Sequence, residues 1–301
     1  MIWVNPPHAR SGDSGASVRE EDRMPPKDLV VFIEPHRGDS QRLAYAVALA
    51  KRWQAHLIAT FVTQPLALNP HAAFAVGAAL STMLADYRDD AAAAQARARS
   101  EFDHLVGQRS FTGEWRVSDD ETGEALMLHA RHASLAILGP PARRNTQTTA
   151  LGLAERMIFA SGRPCLLVPD SWSPERIASR IVVGWNGGRE ATRAIADAMP
   201  LLTAAEAVHL VVVPDTRIQA LYGEDPGADM AAHLARQGAS VVLEQRRGED
   251  AGAVLLERCE AIDADMLVVG AMGRSRISEF ILGGATRTIL ERAGLPVLLS
   301  R

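Results

Sequence analysis

Ile181-Val-Val-Gly-Trp-Asn186 decides how the fold is read, because the chain contains it twice in outline. Leu29-Val-Val-Phe-Ile-Glu34 lies 152 positions earlier, and each run follows a charged or polar lead-in. Both read as a first buried strand. Further out, Leu135-Ala-Ile-Leu-Gly139 matches Met266-Leu-Val-Val-Gly270 as a short apolar run closed by glycine. Gly162-Arg-Pro-Cys-Leu-Leu-Val168 matches Gly294-Leu-Pro-Val-Leu-Leu-Ser300, an apolar run introduced by Gly-x-Pro. The last two landmarks are 23 residues apart in the first half and 24 in the second. A long internal repeat defines architecture before local propensity does.

The halves are unequal. The first is longer where Ala72–Gly107 reads as an Ala-rich helix and the second has only Gly227–Gly238. Two related domains are expected, 27–170 and 175–301, joined by Pro169-Asp-Ser-Trp-Ser-Pro174, whose prolines and serines suit a linker. In the second half, strands are expected at 180–185, 208–213, 240–245, 266–269 and 296–299. Helices are expected at 189–202, 227–238, 250–261 and 285–293. Short strands alternating with amphipathic helices imply a parallel sheet covered on both faces, and right-handed crossovers make it a doubly wound α/β domain.

Composition bounds the rest. With 301 residues, 47% hydrophobic and 23% charged, the chain can bury a core, and a net charge of −4 lacks the basic excess of a nucleic-acid binder. Aromatics are only 5%, which suits helices packed closely on a sheet better than an all-β sandwich. No apolar stretch approaches the roughly 18 residues of a membrane span. Residues 1–26 are rich in Pro, Gly, Ser and charge and have no hydrophobic segment, so a disordered tail is expected, not a signal peptide. Cys165 and Cys259 are too few and too far apart for a disulfide framework or a zinc site; buried free thiols in a reducing, cytoplasmic setting are the simpler expectation.

In doubly wound sheets ligands bind beyond the carboxyl ends of the strands, where strand order reverses. Three second-half segments fall there: Trp185-Asn186-Gly187-Gly188, Val213-Pro214-Asp215 and the loop after Val269. That loop runs Gly270-Ala-Met-Gly273-Arg274-Ser-Arg276 and on to Gly283-Gly284-Ala285-Thr286, that is, Gly-x2-Gly-x9-Gly-Gly leading into a helix. Glycines let main-chain N–H groups approach an anion, the helix start offers unsatisfied N–H groups, and Arg274 and Arg276 add charge. Glycines that merely turn the chain would have the same spacing.

Residues 266–299, with Val182-Val-Gly-Trp-Asn186, resemble the universal stress protein family, and the likeness extends over both halves, about 270 of the 301 residues. The resemblance implies two tandem Rossmann-like domains, each a five-stranded parallel sheet of order 3-2-1-4-5, paired within the chain through their last strands. A further homo-oligomer and protein partners are left open. It also implies a stress-response protein that binds an adenine nucleotide, ATP with Mg2+, in the second half, without efficient catalysis and with weak ATP hydrolysis at most. Gly270, Gly273 and Gly283 match the family glycines that hold ribose and phosphates. Asn186 stands where many members have an aspartate that fixes the adenosine, and Val213 where strand-two backbone meets the adenine. Arg274 flanks the phosphates, and Ala285 opens the helix. Gly284 departs from the pattern, replacing a Ser/Thr whose hydroxyl would bind phosphate; Thr286 lies two residues on. The first half departs further, with Pro140, Pro141 and Ala142 after Gly139 and Glu34 ending strand one; prolines remove N–H donors. A structural role, or recognition of something else, is expected there. The alternative is an interaction or scaffold protein with both sites vestigial.

Other candidates read more plainly. His129 and His132 are expected as a surface pair rather than metal ligands, His36 as a loop histidine, His209 as a hydrogen-bonded, partly buried residue, and Arg143-Arg144 as solvated. The Ala-rich helix is expected to bury a face on its own sheet rather than present it to a partner. No P-loop, zinc-protease or nucleophile-elbow motif occurs.

Overall fold

The computed structural model describes residues 2–4, 25–34, 40–63, 78–108, 112–118, 124–141, 152–214, 218, 223, 225–271, 273–276 and 279–301. In chain order these residues form β1 (Ile2–Val4), β2 (Asp28–Ile33), α1 (Ser40–Trp53), β3 (His56–Val62), α2 (Ala78–Gln108), β4 (Gly113–Ser118), α3 (Glu124–Arg131), β5 (Leu135–Leu138), α4 (Leu153–Ala160) and β6 (Cys165–Leu167). The second half adds β7 (Arg180–Trp185), α5 (Arg189–Leu202), β8 (Ala207–Val212), α6 (Ala228–Arg236), β9 (Val241–Gln245), α7 (Ala251–Ala261), β10 (Met266–Gly270), β11 (Gly273–Arg276), β12 (Glu279–Leu282), α8 (Gly284–Arg292) and β13 (Val297–Ser300).

One sheet of 11 strands runs β1-β9-β8-β7-β10-β13-β6-β5-β2-β3-β4. Within each half the five repeated strands are parallel and follow the order 3-2-1-4-5, so the fold is two tandem doubly wound sheets. They fuse where β13 and β6 pair antiparallel, Val297 opposite Leu167 and Leu299 opposite Cys165. Strands buried on both faces must be apolar throughout, and the cores of β2, β5, β7 and β10 are. Two apolar layers flank the sheet, and each gathers residues from both halves.

The structure departs from the sequence expectations in three places. Ile2–Val4, within the tail expected to be disordered, adds to the sheet antiparallel to β9, with Trp3 opposite Val242. An extended strand completes the hydrogen bonding of a sheet edge, which composition-based reading overlooks. Second, part of the glycine loop is an antiparallel hairpin, Gly273 opposite Leu282 and Arg276 opposite Glu279; Phe280 and Ile281 carry the bulky side chains that favour strands. Third, only part of the Ala-rich helix is covered: in α2, Ala91, Ala94 and Phe102 are buried, whereas residues 81–90 remain exposed or half-buried.

The linker is tied down at both ends. Arg42 of α1, wholly buried, ion-pairs with Asp170 and faces the Phe32 and Val168 carbonyls at 3.5 and 3.4 Å. Asp265, just before β10, accepts the backbone N–H groups of Ser179 and Arg180 at 2.9 and 3.0 Å. A buried carboxylate with two backbone donors is satisfied, and it sets where β7 begins. Both cysteines are free and buried, and burial pushes each thiol up to about 12. No helix among the described residues is long and apolar enough to cross a membrane.

Candidate functional site

At the carboxyl ends of β7, β8 and β10 lies a cleft of about 80 Å³. Its floor is apolar, with Gly184 and Val211 from the sheet and Leu255 and Ile289 from α7 and α8; Asn186, Val213, Gly270, Ala285 and Thr286 stand around it. Four of the eight site residues expected from sequence therefore share one concavity. Gly283 and Gly284 adjoin it, as the N-cap and first residue of α8. Gly273 lies in β11 opposite Leu282; Arg274 is in the same strand, and its side chain is outside the described residues, as are His36, Ala142, Arg143 and Arg144.

The glycines do different work from one another. A Cβ on Gly270 would lie 2.4 Å from the Ala191 nitrogen and 2.5 Å from the Glu190 carbonyl carbon, so the first turn of α5 already requires glycine here. This steric need is independent of any ligand. A Cβ on Gly284, by contrast, would meet nothing within 4 Å. The N-cap, Gly283, provides no side-chain hydrogen bond, which leaves the first N–H groups of α8 to be satisfied from outside the helix. Asn186 is already engaged: its Oδ1 accepts the Gly188 N–H at 2.9 Å, closing a turn in which Gly187 has φ +67°.

Asp250 ties together the two helices that border the cleft. It caps α7 by accepting the Gly252 and Ala253 N–H groups at 2.8 and 3.4 Å, and the Thr288 hydroxyl of α8 donates to it at 2.7 Å. The Thr288 hydrogen bond holds its carboxyl below the usual aspartate range. The two helices come close because Gly252 has no side chain; a Cβ there would lie 2.6 Å from the Ala285 carbonyl oxygen. Local sequence signals a cap at Asp250 but not its bond to Thr288, 38 residues away.

The matching place in the first half is filled. Strand pairing aligns Val31 with Ile137 and Val183 with Val268, so Phe32 corresponds to Gly184 on the cleft floor. Phe32 is 1% exposed and packs in the layer that contains Leu126 and Leu138. The ring thus takes space that the second half leaves open. Glu34 is half-buried at the end of β2, and Pro140 and Pro141 are half-buried after β5.

His209 is partly buried and hydrogen-bonded, as expected: Nδ1 lies 2.8 Å from Glu244 Oε1. Burial opposes ionisation of Glu244, but hydrogen bonds with His209, Arg258 and Arg246 outweigh it and hold the carboxyl below its usual range. His132 Nδ1 lies 2.7 Å from the Leu128 carbonyl and is exposed.

A profile of the universal stress protein family matches residues 178–301. The second half is thus a universal stress protein domain. Among solved structures, a universal stress protein from Archaeoglobus fulgidus DSM 4304 is similar over 91% of this chain and 98% of its own, at 15% identity and a TM-score of 0.67. A functionally unknown protein from Pseudomonas aeruginosa PAO1 is similar over 94% of each chain, at 15% identity and a TM-score of 0.59. No curated protein matches the chain. At such identities the structural likeness establishes a shared fold across both halves, and the repeat in this chain is therefore one of whole domains.

Proposed function

We propose that the chain as a whole is a universal stress protein that binds an adenine nucleotide, ATP with its Mg2+, in the second-half cleft, and acts in stress adaptation by binding and not by turnover. The observation that carries the reading is the convergence of the β7, β8 and β10 ends on the start of α8, an apolar floor beside uncapped N–H groups. Main-chain N–H groups at a helix start bind phosphate oxygens, and an apolar slot accepts a base. At about 80 Å³ the enclosed part is well below the roughly 300–1,000 Å³ of a typical ligand pocket, so it would hold the base end while the phosphates lie in the open mouth. Among the described residues no cluster of His, Cys, Asp or Glu could hold a metal, so Mg2+ would arrive on the phosphates.

Titration of ligand-stripped protein with ATP tests this. Saturable binding by millimolar nucleotide is expected, and its absence sinks the proposal. Gly184→Phe reproduces in the second half the ring that fills the first. It should abolish binding while leaving the circular dichroism spectrum unchanged, since the Cβ at this position first meets the flexible end of Leu255 at 2.8 Å.

The second reading is a scaffold with vestigial sites. Phe32 in the first half and Gly284 in place of a hydroxyl residue favour it. Protein purified without stripping and then denatured distinguishes the two, because vestigial sites release nothing that absorbs near 260 nm.

A further inference from the structure

The helices that border the cleft border a second cavity at their other ends. It encloses about 230 Å³, against about 80 Å³ for the cleft. Leu256, Cys259 and Glu260 line it from α7 and Arg292 from the last turn of α8, and Trp172 closes it from the linker. Asp263, Ala264, Gly294 and Leu295 place it at the amino ends of β10 and β13, at the opposite end of the strands from the first cleft.

Its groups fall into two kinds. Arg176 is fully engaged: its guanidinium lies 4.7 Å from the Trp172 ring centre and pairs with Asp263 at 2.9 Å, while the Trp172 indole N–H donates to the Arg176 carbonyl at 3.0 Å. Those bonds hold the indole in place as a wall. Arg292 and Glu260, by contrast, have no hydrogen-bond or ion-pair partner among the described residues, and although they line one cavity they do not pair with each other. Their charges are nonetheless felt nearby: Arg292 lowers the Asp250 carboxyl and Glu260 raises the Cys259 thiol. Between them the surface is apolar, formed by Leu256, Leu295 and the indole.

An uncommitted cation, an uncommitted anion and an apolar wall around one space of this size match a small zwitterion with an apolar tail. We propose that this cavity binds a free α-amino acid with an apolar side chain, its carboxylate on Arg292, its ammonium on Glu260 and its side chain against Trp172 and Leu295. The concavity measures about 230 Å³ and is half open to solvent, a size suited to a single amino acid. Cys259 takes no part in covalent chemistry, because burial keeps it a thiol.

Equilibrium dialysis of the full-length protein against L-phenylalanine tests the site. Saturable one-site binding in the millimolar range or tighter is expected. Charge-assisted hydrogen bonds make each end of the zwitterion matter, so L-phenylalaninamide, without the carboxylate, and hydrocinnamate, without the ammonium, should each bind about tenfold more weakly or worse. Arg292→Gln should lose the preference for the acid over the amide, and Glu260→Gln the preference for the amino acid over hydrocinnamate. Both residues are exposed, so the variants should keep the wild-type unfolding midpoint. No saturation, equal binding of the three ligands, or unchanged preferences in the two variants each overturn the proposal. None of these outcomes depends on whether ATP occupies the other cleft.

Discussion

Gly284 and Gly270 show why a motif needs its neighbours before its residues can be given roles. Gly270 is hemmed in by the first turn of α5, and any side chain there would collide with backbone. Gly284 opens α8 in open space, at an ordinary helical position where a side chain costs nothing sterically. If phosphates lie at the start of α8, Gly284→Ser restores the missing hydroxyl. A hydrogen bond to a charged group is worth about 1.5–3 kcal/mol, so ATP affinity should rise roughly tenfold or more. Calorimetric titration of the variant checks this; unchanged affinity would place the phosphates elsewhere. The same contrast runs between the halves: Phe32 and Gly184 hold one position of the repeat, a buried ring in one half and a bare backbone on the cleft floor in the other.

At the scale of elements, α7 and α8 act together. Asp250 caps one and takes the Thr288 hydroxyl of the other, while Gly252 allows their close approach. Asp250→Ala removes both bonds, and loss of an N-cap typically costs about 1 kcal/mol, so denaturant unfolding should show a destabilisation of that order. The pH dependence has a definite sign. The carboxyl is lowered in the folded state by the Thr288 hydrogen bond, so its contribution is fully present above the ordinary aspartate value of 3.8 and fades as pH falls through the lowered one. The gap between wild type and Asp250→Ala should therefore be constant around neutrality and close in acid. A gap that widened in acid would contradict this. The helix was readable from residues 250–261 because an aspartate precedes an apolar run. The β11–β12 hairpin was not, since its sequence reads equally as a glycine-bounded loop.

On the scale of the molecule, the antiparallel seam between β6 and β13 joins two parallel sheets into one. The strands there, Cys-Leu-Leu and Val-Leu-Leu-Ser, are buried along their length. Each half would carry a bare apolar edge if it stood alone, and such edges recruit other strands. We propose that residues 175–301 fold as a unit, and that as a fragment they dimerise through β13. Sedimentation velocity should find the fragment dimeric and Leu298→Lys, which places a charge on that strand, monomeric. A monomeric wild-type fragment would show that the seam contributes little. In the full chain the buried Arg42 and Asp265 hold the linker on either side of the seam, which favours pairing within one chain over pairing between chains.

Periodicity and repetition were enough to establish two doubly wound halves and the alternation of strands and helices along the second. Those properties follow from spacing within a dozen residues and from right-handed crossovers, which act locally. Tertiary structure alone decided that Phe32 fills one half while Gly184 leaves the other open, that α5 claims Gly270, that Ile2–Val4 covers the β9 edge, and that a second cavity opens under Trp172. Each of these depends on residues far apart in the chain competing for the same space, and steric exclusion of that kind has no period along the sequence.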